Sequence, residues 1–297
     1  MRITNKLKNM KILFPCSPLD DNKVDKDYLE EHHAAKLQGN ECFLFDHDKF
    51  ILGDFKSNLP KIDDNSPLML RGWMVSISKY EELYILLIKL GYTLINTPEQ
   101  YKNCHYFPYS YDYTKDYTSK SMFIKNWDES ILQDISNFFG KSDFIMKDFV
   151  KSAKHISELF IIPSGIKGVE LLERAEKFIK VRGDSFNEGL VFKEFADLKR
   201  DSDDKLNEWR LFYYEGKLAS SSPNSNQSRT DFNHPEDFIE SVVNGIAFQI
   251  DSNFFTIDIA EKEDGSWIII ENGDGQVSGL SPNQNFLEFY ASLEGKN

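Results

Sequence analysis

Asp258 and Glu271 lie thirteen residues apart, and the stretch that joins them reads as a hairpin. Phe254 to Ala260 and Trp267 to Glu271 are β-branched and aromatic runs, and Glu263-Asp264-Gly265-Ser266 between them supplies turn chemistry. A turn at Asp264-Gly265 puts the two acids roughly opposite one another. An Asp inside an apolar strand is costly unless a charge or hydrogen bonds compensate it. Two carboxylates held that close also repel, unless they share a proton or a cation. Magnesium meets both conditions, because it prefers oxygen ligands and commonly combines one or two carboxylates with substrate phosphates. Asn272 and Asp274 add oxygens just beyond. The alternative is a solvated hairpin with an edge Asp and a strand-end Glu, and spacing leaves both readings open. The continuous apolar run Trp267 to Ile270 suits a central strand buried on both faces.

The elements that must hold these acids follow from the rest of the chain. Lys11 to Pro15, Cys42 to Phe45, Leu68 to Leu70 and Thr93 to Ile95 read as short strands. Helices are expected from Asp25 to Leu37, stopped by Gly39, and from a capping box at Ser78-Lys79-Tyr80-Glu81 to Leu90. This β-α-β alternation predicts a small α/β layer with parallel strands over about the first hundred residues. Pro15-Cys16-Ser17-Pro18 follows the first strand in place of a glycine fingerprint, which argues against a Rossmann cofactor site. Pro98 suits the first position of another helix. Tyr101 to Lys120, rich in tyrosine, reads as an amphipathic loop packed on the surface, with an acceptor-binding wall as its functional alternative.

Further along, Ser121 to Ile124 is a strand and Asp128 caps a helix to Phe139. Asp143 to Val150 is a strand with Lys147 at its centre, either an edge lysine or a cation with a purpose. Gly168 to Lys180 is helical, with Val169, Leu172, Ala175, Glu176 and Ile179 on one side. Leu190 to Phe195 is a strand that contains Lys193, Glu194 and Phe195. Glu208 to Ala219 is a hairpin with Glu-Gly at its turn, and Arg210 in it is either an exposed charge or a ligand-facing one. Ser220 to Ser228 is a polar loop. Pro235 to Gln249 is a helix, and Ser281-Pro282 caps a last one from Asn283 to Leu293.

The strand with Asp258, the acidic Gly turn and the apolar strand ending in Glu271-Asn272 together resemble the magnesium-binding hairpin of ATP-grasp proteins. The usual family ending is Glu, any residue, Asn. Here it is Glu271-Asn272-Gly273-Asp274, so the third ligand falls to Asn272 or Asp274. Asp274-Gly275-Gln276 resembles the variant seen in the R2K clade of that family, and the chain is distantly similar to the eukaryotic ATP-grasp factor that assembles a translation initiation complex. The resemblance spans about Leu94 to Leu280 and fixes an order of motifs. Lys147 would reach the nucleotide phosphates. Lys151-Ser152-Ala153-Lys154-His155 stands in the place of the loop that closes over them, with Lys154 a further phosphate-facing cation. Leu190 to Phe195 looks like the hinge that meets adenine, Lys193, Glu194 and Phe195 bordering the nucleotide and Asp197 accepting from ribose. Arg210 resembles the strand arginine that faces the acyl phosphate, and Arg71 is a second candidate, since a guanidinium forks onto two oxygens.

The implied fold class is α/β and α+β: an ATP-grasp fold with an N-terminal Rossmann-like α/β pre-ATP-grasp domain over residues 10–100 and nucleotide-binding lobes over 101–297. The implied activity is ATP- and Mg2+-dependent ligation of a carboxylate to an amine or related nucleophile through an acyl phosphate. A non-catalytic ATP-binding assembly factor is the rival. Composition sets outer limits. At 297 residues the chain fits two or three lobes. Its net charge of −13 repels phosphodiester backbones, which argues against general nucleic-acid binding. Three scattered cysteines suggest a reduced compartment without a zinc site. With no spanning apolar run and no signal peptide, a cytoplasmic protein is expected, with Met10 as its functional start.

Overall fold

In a computed structural model that describes residues 9–150, 156, 159, 161–224, 233–281 and 283–295, the N-terminal strands form one sheet. They are β1 (Lys11–Ser17), β2 (Asp20–Val24), β3 (Glu41–Phe45), β4 (Ser66–Leu70) and β5 (Tyr92–Leu94). β3, β1, β4 and β5 lie side by side and parallel, while β2 turns back on the end of β1. Parallel neighbours need crossovers, and helices Leu29–Leu37 and Ile77–Lys89 make two of them. The second helix is capped by Ser76 rather than by the expected box at Ser78. Its hydroxyl accepts from the Lys79 N–H at 3.4 Å.

The second sheet is antiparallel and contains β6 (Ser121–Ile124), β7 (Phe144–Asp148), β8 (Ile161–Ile162) and β9 (Leu190–Glu194), ordered β6-β9-β7-β8. Helices Glu129–Phe139 and Gly168–Arg182 cover one face. The buried positions of the latter are Gly168, Leu171, Ala175 and Phe178, not the stripe through Val169 and Leu172 expected from sequence. The rotation follows from the helix contact: a Cβ at Gly168 would lie 2.5 Å from the Glu129 carbonyl oxygen. Only glycine permits that approach.

The third sheet is β11-β10-β12-β13, built from β10 (Glu208–Tyr214), β11 (Lys217–Pro223), β12 (Phe254–Glu261) and β13 (Trp267–Asp274). Glu215 and Gly216 join β10 to β11 with φ of 48° and 74°, the two left-handed residues of the tight hairpin turn read from the sequence. Ser220 to Ser222 belong to β11 rather than to a loop, and residues 225–232 lie outside the described part. Helical residues 236–247, widened in their middle turn, pack on one face of this sheet. On the other face, Phe212 and Phe254 pack with Phe14 and Met69 of the first sheet and with helix Phe286–Leu293. That last helix is capped by Asn285, three residues beyond the expected Pro282, which itself lies outside the described part.

The tyrosine-rich segment is a pair of helices, Pro98–His105 and Phe107–Thr114, instead of a surface loop. Tyr101, Tyr106 and Phe107 are buried in the core, and Tyr101 stacks on Tyr80 at 4.1 Å between ring centres. Aromatic burial outweighs the weak helix propensity of these residues. No helix among the described residues is long and apolar enough to cross a membrane.

Candidate functional site

The strand register lines up three charges. Arg210 of β10 pairs with Asp258 of β12, and Asp258 pairs with Glu271 of β13. All three project from one face, because residues directly opposite in a ladder share a side of the pleat. The Arg210 guanidinium forks onto Asp258, with Nε 2.8 Å from Oδ1 and Nη2 2.6 Å from Oδ2. Burial opposes the charge on Arg210, but Asp258 outweighs it and the pKa is raised. Nη1 also donates to the Gly279 carbonyl at 3.0 Å. The bulge between Asp258 and Ile259 leaves Ile270 unpaired beside this row.

The second sheet faces it with two lysines. Lys147 of β7 lies opposite Val191, and Lys193 of β9 opposite Ile145, so the two are diagonal neighbours on one face. Lys147 sits on an interior strand with its side chain only 8% exposed, which removes the edge-lysine reading. Its Nζ donates to Oε2 of Glu271 at 3.2 Å. Lys193 Nζ donates to the Ile270 carbonyl at 2.7 Å. Both ammonium groups lie under 6 Å from the centre of the Phe107 ring, at 5.8 and 5.5 Å.

Between the sheets is a cavity of roughly 280 Å³. Lys147, Lys193 and Glu271 stand in its wall with Phe107, Ile145, Ile268 and Ile270, and the segment 194–198 also borders it. The amides of Glu194 and Phe195 are used internally, donating to Lys120 O at 2.8 Å and Asp143 O at 2.9 Å. Ala196, the next residue, makes no hydrogen bond among the described residues, and the carboxylates of Glu194 and Asp197 have no partner there either. A smaller pocket of roughly 80 Å³ lies on the other side of Glu271, edged by Arg210, Asp258, Asn272, Thr256, His105 and Met74.

Arg210, Lys147, Lys193, Glu194, Phe195, Asp197, Asp258 and Glu271 therefore gather at one cleft. Arg71 does not join them. It is 1% exposed, paired with Glu31 at 2.5 Å and bonded to the carbonyls of Gly275 and Ser278. A guanidinium so enclosed has no face left for a carboxylate ligand, and Arg71 acts here by holding the segment after β13. Lys154 lies outside the described residues.

Neither candidate for a third metal ligand shares the strand face of Asp258 and Glu271, although Asn272 borders the smaller pocket. Asn272 is opposite Ile257 and Asp274 opposite Phe255, both core residues, whereas Glu271 and Gly273 share the cleft face with Asp258 and Thr256. Asp274 is fully buried, accepting from Asn96 Nδ2 at 2.5 Å and from the Gln276 amide at 2.9 Å. Burial pushes its carboxyl up to about 6 against the lowering effect of those bonds. Oδ1 of Asn272 is buried without a hydrogen-bond partner among the described residues. In the Glu-x-Asn ending, the Asn position is taken by Gly273, and the hydroxyls of Thr256 and Ser278 fill the space beside it. No group of three His, Cys, Asp or Glu side chains converges among the described residues. Asp258 and Glu271 alone still fit a divalent cation, being adjacent across the hairpin and hard oxygen donors.

Sequence reasoning missed Ala196, Phe107 and the cavity-lining role of Ile268 and Ile270. β13 is an edge strand, not a central one. It is apolar on both faces because Ile269 packs into the core while Ile268 and Ile270 line the cavity.

The family described as ATP-grasp domain, R2K clade family 3, matches residues 132–293, more than half of the chain. A search of curated protein sequences finds no match. Among solved structures the chain is similar to the ATP-grasp ligase PsnB complexed with a minimal precursor, with a TM-score of 0.59 and 12% identity over 98% of this chain and 100% of that one. D-alanyl-alanine synthetase A from Vibrio cholerae gives 0.61 and 12% over 97% and 98%. The macrocyclase MdnC bound with precursor peptide MdnA from Microcystis aeruginosa gives 0.59 and 12% over 95% and 98%. At such identities the likeness is one of fold.

Proposed function

The chain belongs to R2K clade family 3 of the ATP-grasp domains, and from that premise we propose that it is an ATP-dependent ligase joining a carboxylate to an amine or related nucleophile. The observation that carries this reading is the meeting of Lys147 and Glu271 in the wall of a cavity that Ala196 also lines. In such a reaction the carboxylate attacks the γ-phosphorus, ADP departs, and the nucleophile displaces phosphate from the resulting acyl phosphate. The protein's part is positioning and charge stabilisation.

Each role falls to a named group. Ala196 N–H offers a donor to the base, the Glu194 carboxylate an acceptor to an exocyclic amino group, and Asp197 an acceptor to ribose hydroxyls. Ile268, Ile270 and Phe107 exclude water from the purine. Lys147 and Lys193 neutralise phosphate oxygens. Asp258 and Glu271 would hold magnesium, which supplies positive charge at the phosphate oxygens. Arg210, fixed by Asp258, borders the smaller pocket, where the substrate carboxylate would lie. The N-terminal layer, residues 10–100, would contribute to the substrate side and residues 101–297 to the nucleotide side. Names of solved neighbours that include precursor peptides and alanyl-alanine synthesis support amino-acid or peptide substrates. A cytoplasmic location fits the need for ATP.

The test is positional isotope exchange in 18O-labelled ATP with a panel of carboxylates, alongside thermal shift with Mg-ATP and with NAD. Exchange that depends on one carboxylate, with stabilisation by Mg-ATP alone, is expected. Stabilisation without exchange or turnover for any carboxylate would favour the assembly-factor reading. Equal shifts with both nucleotides would remove the ATP reading altogether.

A further inference from the structure

Lys147 and Lys193 bring two ammonium groups to one face of the second sheet, and the residues are both buried. Like charges that close repel, the more so where water is scarce. Oxygens meet each of them, Glu271 Oε2 at Lys147 and the Ile270 carbonyl at Lys193. Alongside these the two lysines share a third group. Both ammonium groups sit over the ring of Phe107, 5.8 and 5.5 Å from its centre. An aromatic face attracts a cation at that range while carrying no net charge.

The chain fixes this ring from outside the second sheet. Phe107 opens helix Phe107–Thr114, and its amide donates to the Phe149 carbonyl at 2.8 Å, two residues beyond Lys147. One turn further on, the Tyr111 ring packs against it with 5.4 Å between centres. Backbone and packing therefore set where the ring stands, in the same cavity wall as both lysines.

We propose that Phe107 is a positioning residue for Lys147 and Lys193: its ring holds both ammonium groups toward the cavity, ready for phosphate oxygens, in addition to excluding water. This rests on the nucleotide reading above. A carboxylate in the ring's place would also hold two lysines, but it would cancel charge that the phosphates need. The ring holds them without cancelling it. Once phosphates bind, the ring is still within reach of both cations, so its attraction persists in the complex. Without that attraction, the ammonium groups of the empty protein turn toward neighbouring carbonyl and carboxylate oxygens, and binding has to draw them back.

The test grades the ring's charge distribution at nearly constant shape. Phe107 is replaced by 4-fluoro-, 3,5-difluoro- and 3,4,5-trifluorophenylalanine through nonsense suppression, and calorimetry follows Mg-ATP and, as a phosphate-only probe, magnesium tripolyphosphate. Each fluorine draws electron density from the ring face and makes the ring slightly more apolar. Holding the cations predicts stepwise weaker Mg-ATP binding, about tenfold for the trifluoro ring, because two contacts are reduced together. Excluding water alone predicts no weakening. Mg-ATP affinity that stays flat or rises along the series would overturn the proposal. So would weaker Mg-ATP binding with unchanged tripolyphosphate binding, which would place the ring against the base instead. Should the trifluoro ring prevent folding, the trend over the first two substitutions decides. Failure of the unaltered protein to bind Mg-ATP removes the nucleotide reading and the proposal with it, whereas normal binding with a flat fluorine series removes only the role of Phe107.

Discussion

Arg210 and Asp258 close a two-pronged ion pair across neighbouring strands, at 2.8 and 2.6 Å, with the Asp258 side chain 3% exposed. The repulsion that two facing acids would suffer is thereby answered within the protein. Asp258→Asn is expected to destabilise the ligand-free fold by about 3 kcal/mol, since it leaves a largely buried guanidinium without its counter-charge. Arg210→Met/Asp258→Asn should recover much of that loss. Urea unfolding of the single and double variants gives the coupling, and additive losses would show that the pair contributes nothing.

Lys193 separates binding from stability. The residue is 5% exposed, and its ammonium donates to the Ile270 carbonyl at 2.7 Å. Replacing such a charge by an apolar chain of similar length is often neutral for the fold. Lys193→Met should therefore change unfolding stability by less than about 1 kcal/mol and weaken Mg-ATP roughly tenfold or more, the loss of one charge-assisted bond. Lys180→Ala, on an exposed helix face, serves as the reference and should bind Mg-ATP normally. Equal affinities for the two variants would place Lys193 outside the nucleotide site.

Asp274 gives the fold a pH dependence. Its carboxyl is pushed up to about 6 from the ordinary 3.8, so the native state holds a proton there that the unfolded chain has lost. Between those values the folded protein binds more protons, and stability falls as pH rises. The contribution is fully present below about 4 and lost on passing about 6, up to about 3 kcal/mol for a shift of this size. Asp274→Asn should flatten that slope in urea titrations between those pH values. An unchanged slope would assign it to another group.

Gly168 tests the contact that rotates its helix. A Cβ there meets a backbone oxygen, which cannot swing aside. Gly168→Ala should cost about 1–3 kcal/mol in unfolding while leaving the Kd for Mg-ATP unchanged in calorimetry. Unchanged stability would mean that the two helices separate freely.

The parts of the site that sequence made legible are those written in side-chain type and local spacing. The Asp258–Glu271 hairpin was readable because a turn sits midway between two β-branched runs, and Lys147 because a cation stands inside an apolar strand. Pleat alternation could also have shown that Asn272 and Asp274 turn away from Glu271, since adjacent strand residues face opposite sides. Ala196 was illegible for a physical reason: what it offers is a backbone amide, which every residue but proline carries. Arg71 was misread because its partner, Glu31, lies forty positions away in a helix. Only packing brings them together. The Tyr101 to Lys120 stretch failed similarly, as aromatic spacing there reports a core that distant strands complete.

One consequence concerns self-association. Trp267-Ile268-Ile269-Ile270 is the kind of segment that templates amyloid-like growth when its backbone is exposed, being apolar, β-prone and uncharged. It lies on an edge strand, with Ile268 and Ile270 lining the cavity. The chain seals it with its own segment: the Ile269 amide donates to the Tyr117 carbonyl at 2.7 Å, and the Thr118 hydroxyl donates to the Ile269 carbonyl at 2.7 Å. Tyr117 and Thr118 therefore act as a gatekeeper, and loosening them would turn the strand bearing Glu271 into a seed for aggregation.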